Sequence, residues 1–449
     1  MKNKIDMPRE VEEIIEIIEN NGYEAYIVGG CIRDFLLGRN PGDWDITTSA
    51  LPEKIRNIFQ GKYRVIDTGL KHGTVTVISS NNNHYEITTF RIDGEYINGR
   101  SPERVEFTKN LREDLKRRDF TINAMAYNNR VGIEDHFNGR IDLQNKVIKA
   151  VGVAEERFSE DALRILRGIR FSCQLGFEID IDTERAMKKK KEGLSKISKE
   201  RIREEFSKII LSENASYGIK KLVHNGLMEY IIPEINSMVG FEQHTQYHDK
   251  DVFEHTMGVL EKVTDKLDLR LSALLHDIAK PTTFTIDERG QGHFYNHDIV
   301  GSEMCEKILR KLKFDNKTIN KVRLLVLEHM NREKDMKNIT LKKLIRKIGK
   351  ENLNDLFLLQ IADIASSAKE YSNYDYIVRT EKKAQKILER KDPIIIKDLD
   401  ITGKEIMENG IEEGILIGEM LHELLELVLE KPRLNKKEIL IEIVRKKVK

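Results

Sequence analysis

The sequence predicts an α+β protein, in which an N-terminal mixed α/β part is followed by a long helical part. Short apolar runs bounded by glycine alternate with helical segments from Tyr23 to about Tyr127, as strands and helices do. Beyond about residue 150, apolar residues recur at helical spacing almost to the C-terminus. With 449 residues the chain is too long for one hydrophobic core, so we expect two to four domains.

The predicted helices and strands follow from the spacing of apolar residues and from residues, such as glycine, that end a helix or strand. Val11, Ile14, Ile15 and Ile18 predict a helix from Met7 to Asn20, which Gly22 ends. Leu163, Leu166 and Ile169 begin the helical part. Composition shifts predict domains at 1–150, 151–230, 231–380 and 381–449. Strands are predicted at Tyr26–Val28, Trp44–Thr47, Thr74–Ile78, His84–Arg91 and Val105–Thr108, and helices at Cys31–Leu37, Pro52–Phe59 and Leu111–Arg118.

The composition indicates a globular protein with a highly charged surface. Apolar residues make up 39% of the chain and charged residues 34%, but the net charge is only +1. A nucleic-acid-binding surface would therefore be a local basic patch. The three cysteines, Cys31, Cys173 and Cys305, have no spacing typical of disulfides or zinc fingers. Since the sequence shows neither a signal peptide nor a membrane span, we expect a cytoplasmic protein with no membrane partner.

A strand that ends at Gly29 and Gly30 predicts a turn where backbone N–H groups can approach a phosphate. The next predicted strand carries Asp43 and Asp45, which would project from the same face because strand side chains alternate. Two adjacent carboxylates repel each other unless a divalent metal lies between them. The same Gly-Asp-x-Asp composition is also common in turns, where the aspartates would only stabilise the backbone.

Three further residues extend this candidate site. Arg33 would lie on the first helical turn after the glycines and could hold a triphosphate, with Asp34 orienting it. Glu86, between the apolar Tyr85 and Ile87, is the candidate for a third metal-binding carboxylate. An edge strand that faces water would explain Glu86 equally well. Together these residues indicate nucleotide transfer.

Four motifs follow one another along the chain. They are YIVGGCIRD at 26–34, GDWD at 42–45, RRDFTINA at 117–124 and EDALR at 160–164. In this order they resemble the class II tRNA nucleotidyltransferases, the CCA-adding enzymes, which share a head domain with bacterial poly(A) polymerases. The resemblance implies a nucleotidyltransferase head, a neck with a base-reading helix, a body and a tRNA-binding tail. It also implies template-independent addition of CCA to the 3′ end of tRNA, from CTP and ATP with Mg²⁺.

Asp161 and Arg164 match the positions of the family's base-reading pair. Cytosine and adenine both present an amino donor next to a ring-nitrogen acceptor, whereas guanine and uracil present the reverse. One carboxylate and one guanidinium can therefore accept C and A and refuse G and U. The two residues are three apart, so on a helix they would be neighbours on one face. An ordinary surface ion pair has the same spacing.

The resemblance assigns nucleotide binding to further residues of these motifs. Arg118 would hold the triphosphate, Asp119 would brace the arginines, and Asn123 would contact the ribose or fix the loop. Arg167 and Arg170 are nucleotide-binding by the same resemblance. Helical geometry turns Arg170 away from Asp161, which favours phosphate or RNA contact or a structural pair.

The segment 93–105 resembles the loop that the family uses to switch from C to A addition. Asn98 and Ser101 replace the aspartate and the basic residue usual beside Gly99 and Arg100. The segment 68–75 is similar to CCA-adding members, and we find no arginine-rich insert typical of polyadenylating ones. Full CCA addition is the favoured interpretation, with A-only addition or poly(A) synthesis as alternatives.

A second set of residues has the order H … HD … D of the HD phosphohydrolases. His276 and Asp277 follow an apolar helix and would bring two ligands to one helix end, where a divalent transition metal could bind. The resemblance implies phosphatase or 2′,3′-cyclic phosphodiesterase activity. The histidines could instead satisfy polar contacts in a helical core. The full set is His255, His276, Asp277 and Asp363, with His297 and His329 as possible ligands of a second metal.

Two interpretations in which the chain is not a nucleotidyltransferase remain. The chain could be an HD phosphohydrolase with a nucleotide-sensing head, although a sensor would not need both Asp43 and Asp45. It could also be a noncatalytic RNA-binding protein, which the complete motifs disfavour. No sequence feature indicates an oligomeric state.

Overall fold

The computed structural model describes residues 4–94, 96–97, 101–102, 104–412 and 414–448. The chain divides into two compact units, Met1–Pro233 and Glu234–Lys449. The division falls close to the boundary predicted at 230. The finer division at 150 and 380 stays a prediction. The mixed α/β start and the helical remainder confirm the predicted α+β class.

The first unit is built on a seven-stranded sheet. The described strands of the whole first unit, inside and outside this sheet, are β1 (Ala25–Val28), β2 (Ile46–Thr48), β3 (Arg64–Gly69), β4 (Thr74–Ile78), β5 (His84–Thr89), β6 (Arg91–Asp93), β7 (Tyr96–Ile97), β8 (Ser101–Pro102), β9 (Val105–Phe107), β10 (Ala126–Asn128), β11 (Gly132–Glu134), β12 (Val147–Ile148) and β13 (Glu178–Ile179). The sheet order is β11-β10-β1-β2-β5-β4-β3. Only β2 and β5 run parallel in it; the other neighbours are antiparallel.

The amphipathic helix α1 (Arg9–Asn20) packs on the sheet. Ile14 and Ile18 of this helix are fully buried, as are Ile27 and Ile87 of the sheet. Full burial of one such side chain stabilises the fold by roughly 1.5–3 kcal/mol. The helices of the first unit are α1 (Arg9–Asn20), α2 (Gly30–Leu36), α3 (Pro52–Phe59), α4 (Leu111–Lys116), α5 (Gly139–Gln144), α6 (Ala154–Glu160), α7 (Leu163–Leu175), α8 (Ile181–Lys190), α9 (Lys199–Ile210) and α10 (Ala215–His224).

Helix α7 packs closely on the RRDFTINA segment. A Cβ on Gly168 would lie 2.4 Å from Cε of Met187 and 2.9 Å from Cζ of Phe120. Only glycine therefore allows this approach, since real Cβ atoms do not come so near. The result brings the arginines of α7 next to Asp119.

Among the described residues of the second unit, the strands form one β-hairpin, β14 (Phe284–Ile286) with β15 (Gly292–Phe294), and the other regular elements are helices. Leu424, Val428, Leu440 and Val444 form a separate core near its end. None of the helices in the described ranges is long and apolar enough to cross a bilayer. The helices are α11 (Val252–Lys262), α12 (Leu267–Leu275), α13 (Lys280–Thr283), α14 (His297–Lys311), α15 (Asn316–Glu328), α16 (Asn338–Ile348), α17 (Leu353–Ile364), α18 (Asp375–Glu389), α19 (Gly403–Glu408), α20 (Ile415–Glu430) and α21 (Lys437–Val448).

Candidate active site and metal cluster

The turn between β1 and α2 brings two guanidinium groups together. Gly29 has a φ of +88°, which glycine adopts without strain, and Gly30 begins α2. A Cβ on Gly29 would lie 3.1 Å from Nη1 of Arg118, and a Cβ on Gly30 would lie 3.4 Å from Nη2 of Arg33. The missing side chains let both arginines approach the turn. The turn is therefore a positively charged surface, at the place where the sequence predicts phosphate binding.

A chain of hydrogen bonds holds Arg33. Its Nε and Nη2 donate to the Asp34 carboxylate, each at 2.9 Å, and its Nη1 donates to Oδ1 of Asn123 at 2.7 Å. Asn123 donates to Asp119 at 3.2 Å, and Nε of Arg167 donates to the same carboxylate at 2.7 Å. Burial raises the pKa of Asp119, but Arg167 and Asn123 outweigh it and bring the pKa to about 2. The roles of these residues in nucleotide binding stay predictions.

Asp43 and Asp45 lie in the loop before β2, because the strand begins at Ile46 rather than at Trp44 as predicted. The predicted strand alternation therefore does not apply to this pair. Both residues are exposed, and neither carboxylate has a hydrogen bond or ion pair to a residue in the described ranges. Loss of surrounding water raises the pKa of Asp45, Arg118 opposes that shift, and the nearby Asp43 adds to it.

Glu86 lies on β5, beside the loop that carries the aspartates. Strands β2 and β5 pair in parallel with Ile46 opposite Ile87. Asp45 and Glu86 immediately precede these two residues, so the backbone register brings them to neighbouring positions. The Glu86 side chain is exposed. Its role as a third carboxylate stays a prediction.

Asp114 is a residue of this site that the sequence reasoning missed. It is fully buried and accepts hydrogen bonds from Oγ1 of Thr47 at 3.1 Å and from Arg117 at 2.8 Å. Its Oδ2 lies 3.7 Å from Nη2 of Arg118. Burial raises the pKa of Asp114, but Arg117 and Arg118 outweigh it and lower the pKa. The sequence did contain a signal for this contact. Asp114 precedes Arg117 by three residues and Arg118 by four, and side chains at these spacings are neighbours on one helix.

Arg118 is a partly buried cation whose Nη2 lies 3.7 Å from a carboxylate oxygen of Asp114. Burial lowers its pKa, while Asp114 and Asp45 act in the opposite direction. Its Nε is buried and has no hydrogen-bond partner among the described residues.

Asp161 and Arg164 do not share a helix, and that prediction is wrong. Helix α6 ends at Glu160 and α7 begins at Leu163, so Asp161 lies between them in an extended conformation. Its Oδ1 accepts the backbone N–H of Leu163 at 3.0 Å, and its Oδ2 accepts Nη2 of Arg201 at 2.7 Å. The ion-pair partner of Asp161 is therefore Arg201 and not Arg164.

Arg164 is held by a different set of acceptors. Its Nη1 donates to the Glu160 carboxylate at 2.5 Å and to the carbonyl oxygen of Arg157 at 3.2 Å. Its Nη2 donates to the carbonyl oxygen of Arg117 at 3.0 Å. The break between the two helices thus carries one fixed acceptor and one fixed donor, each held by its own partners.

Arg33 of α2 and the two remaining arginines of α7 lie around one aromatic ring. The guanidinium carbons of Arg33, Arg167 and Arg170 lie 5.1, 5.4 and 4.4 Å from the ring centre of Phe171. These distances allow cation–π attraction. Arg170 is buried and pairs with Glu205 at 3.1 Å, which is one of the alternatives that its position on the helix left open; its role in nucleotide binding stays a prediction.

The predicted switching loop is only partly described. Strands β6 and β9 pair in antiparallel fashion at its base, with Arg91 opposite Phe107. Asn98, Gly99 and Arg100 lie outside the described residues, so its predicted role is untested.

The second unit brings all six predicted HD side chains into one buried cluster. Each is at most 6% exposed. His276 and Asp277 follow the end of α12, as predicted, and α11, α14, α15 and α17 contribute the rest. The six are His255, His276, Asp277, His297, His329 and Asp363.

Asp277 lies between two groups of ligand atoms. Its Oδ2 is 3.1 Å from Nε2 of His276 and 3.8 Å from Nε2 of His255. Its Oδ1 is 3.5 Å from Nε2 of His297 and 4.0 Å from Nε2 of His329. Each group offers three ligand atoms that lie close enough to share one ion.

Asp363 completes the first of these groups. Its Oδ1 lies 3.0 Å from Nε2 of His255, and Arg332 donates to its Oδ2 at 2.5 Å. Lys280 donates to Oε1 of Gln243, and its Nζ lies 2.8 Å from Oδ2 of Asp277. Burial raises the pKa of Asp363, but Arg332 and His255 outweigh it and hold the pKa well below its ordinary value. Asp363 is therefore ionised.

The four histidines have a common orientation. Nδ1 of His276, His297 and His329 lies 2.6–2.8 Å from the backbone carbonyl oxygen three residues earlier, and Nδ1 of His255 lies 3.3 Å from that of Ser366. Such contacts place the proton on Nδ1 and leave the Nε2 lone pair for a metal. A cavity of about 240 Å³ opens onto the cluster and is lined by Lys280, Arg332 and Tyr295 among others.

Comparisons with known proteins agree with both sites. The model of the "Poly A polymerase head domain" matches residues 25–149. The "Probable RNA and SrmB- binding site of polymerase A" matches 176–239, and the "HD domain" matches 248–368. The first and third matches cover the carboxylate loop and the histidine cluster.

The relatives are CCA-adding enzymes. One from Lactobacillus delbrueckii subsp. bulgaricus is 51% identical over 216 residues, which are 48% of this chain and 54% of the relative. The chain thus spans about half the length of that relative. One from Ligilactobacillus salivarius is 33% identical over 444 residues, which are 96% of this chain and 95% of the relative.

A solved structure agrees over the full length. The Bacillus stearothermophilus CCA-adding enzyme in complex with CTP has a TM-score of 0.74 and 28% identity, covering 98% of each chain. The Thermotoga maritima CCA-adding enzyme complexed with tRNA has a TM-score of 0.62 at 20% identity, a likeness of fold. Because the similarity to the Ligilactobacillus salivarius enzyme runs through nearly the whole of both sequences, the chain belongs to the CCA-adding enzyme family.

Proposed function

We propose that the protein adds CCA to the 3′ end of tRNA, using CTP and ATP, without a nucleic-acid template. The observation that carries this function is the exposed, unpaired Asp43 and Asp45 beside Arg118, which lies on the Gly29 turn. The whole-length relationship to CCA-adding enzymes supports it. Residues 381–449 would form the part that contacts tRNA.

Family membership implies a divalent metal, and we propose Mg²⁺ at Asp43 and Asp45. The residues fit this ion, because two exposed carboxylates without a cationic hydrogen-bond partner in the described ranges are hard oxygen ligands. Glu86 would add a third oxygen. When bound, Mg²⁺ would lower the pKa of the attacking 3′-hydroxyl and neutralise charge on the departing pyrophosphate.

The protein's own groups would bind and orient the nucleotide. Arg33 and Arg118 lie against the glycine turn and would hold the triphosphate oxygens. Asp161 would accept the amino group of cytosine or adenine, and Arg164 would donate to the adjacent ring nitrogen. Guanine or uracil would leave buried polar groups unpaired, which costs roughly 1–3 kcal/mol per group.

The direct test is nucleotide addition to tRNA that lacks its 3′ end, with each labelled nucleotide and Mg²⁺. We expect CTP to be incorporated first and ATP afterwards. Addition of ATP alone to a tRNA that ends in CC would indicate an A-adding enzyme, and long A tails would indicate a poly(A) polymerase. No incorporation at all would contradict the proposal.

We also propose that the cluster in the second unit is a divalent-metal site with phosphohydrolase activity. Nε2 of His297 and Nε2 of His329 lie only 3.3 Å apart, while both Nδ1 atoms face carbonyl oxygens. With the proton of each ring on Nδ1, the two Nε2 lone pairs would face each other, and a cation between them would remove that repulsion. Two imidazole nitrogens bound to one tetrahedral zinc ion lie about 3.4 Å apart, so the spacing fits a transition metal.

A divalent ion held by these histidines and aspartates would supply Lewis-acid chemistry for hydrolysis of a phosphate ester. Lys280 and Arg332, at the cavity, would neutralise the phosphate. Metal analysis of the purified protein, combined with hydrolysis of 2′,3′-cyclic AMP, tests this site. We expect at least one transition-metal ion per chain and measurable hydrolysis; a metal-free protein that does not gain activity with Mn²⁺, Ni²⁺ or Zn²⁺ would contradict it.

A further inference from the structure

We infer that Arg201 sets nucleotide selectivity by fixing the orientation of the Asp161 carboxylate. This inference rests on the proposed function, since it concerns how the same site chooses C and A. Arg201 would be a positioning residue that acts through Asp161 and does not touch the base. None of the four sequence motifs includes it.

Asp161 needs an external partner because of its place in the chain. It lies between α6 and α7, with φ −140° and ψ 103°, so it is not part of either helix. The terminal torsion of an aspartate is broad and has no sharp preferred angle. One hydrogen bond, from the Leu163 N–H to Oδ1, would leave Oδ2 free to rotate about it.

Arg201 supplies the second fixed point. Its Nη2 donates to Oδ2 at 2.7 Å, so each carboxylate oxygen holds one N–H donor. A carboxylate has about four lone-pair positions, and two donors leave two for a nucleobase amino group. The orientation of these remaining positions is then set by the protein before the nucleotide arrives.

Burial and charge favour this role over that of a surface ion pair. The Asp161 side chain is 14% exposed and the Arg201 side chain 25%. Nη1 of Arg201 is buried and finds no hydrogen-bond partner in the part of the chain that the structure describes. The guanidinium is therefore held where its Asp161 contact requires it, even though one N–H group stays unsatisfied.

The same pair explains why Asp161 and Arg164 can read a base at all. If the two neutralised each other, a nucleotide would first have to break their ion pair. Arg201 pairs with Asp161, and Glu160 pairs with Arg164.

The test compares Arg201→Gln, Arg201→Lys and the control Arg203→Gln. Arg203 lies two residues on in α9, with a side chain of similar exposure and Glu204 4.0 Å away. For each variant, kcat/KM is measured for CTP and UTP on tRNA lacking CCA, and for ATP and GTP on tRNA ending in CC. Thermal unfolding is recorded for all three.

We expect Arg201→Gln to reduce the CTP/UTP and ATP/GTP ratios of kcat/KM at least about tenfold. Arg201→Lys should restore part of the ratio, because it keeps the charge but not the planar donor group. Arg203→Gln should leave both ratios unchanged. Unchanged ratios in Arg201→Gln, with activity reduced equally for all nucleotides, would overturn the inference. A wild-type protein that adds neither C nor A would instead overturn the proposed function.

Discussion

The two units hold their candidate metal ligands in opposite ways. Asp43 and Asp45 of the first unit are exposed and lack hydrogen-bond partners among the described residues. Asp277 and Asp363 of the second unit are 2% and 4% exposed, and the four histidines predicted as ligands each have Nδ1 at a backbone carbonyl. The first arrangement suits an ion that enters and leaves with a nucleotide. The second suits a resident ion, because the ligands are already oriented.

The largest effect is expected from removing an exposed ligand of the first unit. Asp43→Ala should reduce CCA addition by about a thousandfold or more, because developing charge would lose its metal. The unfolding temperature should hardly change, since the side chain is exposed and unpaired. Labelled CTP incorporation and thermal unfolding measure the two quantities. Asp67→Ala, an exposed carboxylate on β3, is the matched control. Full activity in Asp43→Ala would contradict the proposal that this exposed carboxylate holds the metal of the first unit.

The second largest effect concerns the buried ligand that faces both groups of histidines. Asp277→Asn should weaken metal binding by more than the roughly 10- to 100-fold typical of outer-shell partners. Metal content by mass spectrometry and hydrolysis of 2′,3′-cyclic AMP should both fall, while CCA addition is retained.

Asp355→Asn is the control for that experiment. Asp355 is a buried aspartate of the same unit that pairs with Lys266 and Lys321, outside the cluster. The Asp355→Asn substitution should lower the free energy of unfolding without releasing metal. Equal metal loss in both variants would mean that the cluster responds only to destabilisation.

A smaller effect is expected from changing the proposed base-reading carboxylate of the first unit, which, unlike the exposed aspartates, is held by hydrogen bonds. Asp161→Asn places an amide where the carboxylate was, and the amide can also donate to the carbonyl of uracil or guanine. We expect the CTP/UTP ratio of kcat/KM to fall roughly 10- to 100-fold. Asp182→Asn, at an exposed aspartate of α8, should change nothing. An unaltered ratio in Asp161→Asn would contradict the base-reading role.

The smallest effect is a pH dependence of stability within the first unit. The pKa of Asp119 is about 2 in the folded protein and 3.8 without its partners. Its contribution, about 2 kcal/mol, is present above pH 4 and is lost as the pH falls towards 2. Urea unfolding of the wild type and of Asp119→Asn between pH 5 and pH 3 should show the gap closing on acidification. Parallel curves would mean that Arg167 does not stabilise the Asp119 charge.

The elements that the sequence predicted well are those in which one periodic pattern decides the outcome. The apolar spacing of Val11, Ile14, Ile15 and Ile18 gave helix α1, and the four side chains are buried as expected. Strand Thr74–Ile78 and helix Pro52–Phe59 have the predicted bounds. The six HD side chains also meet, because ligand residues at helix ends converge in a helical core.

The predictions that were wrong depended on where one element stops. A break of two residues at Asp161 separated it from the helix of Arg164. A strand that begins at Ile46 left Asp43 and Asp45 in a loop. Element ends depend on contacts with distant residues, and a single sequence does not reveal those contacts.

The chain order of glycines, carboxylates, arginines and histidines by itself determined the class of fold and which chemistry each half carries. Side-chain types and local spacing are enough for that, because they limit what can bind a phosphate or a metal. Only the tertiary structure decided the partners: Arg201 for Asp161, Arg167 for Asp119, and Arg332 for Asp363. These contacts join residues that are far apart in the chain, and they form only when the chain has folded around them.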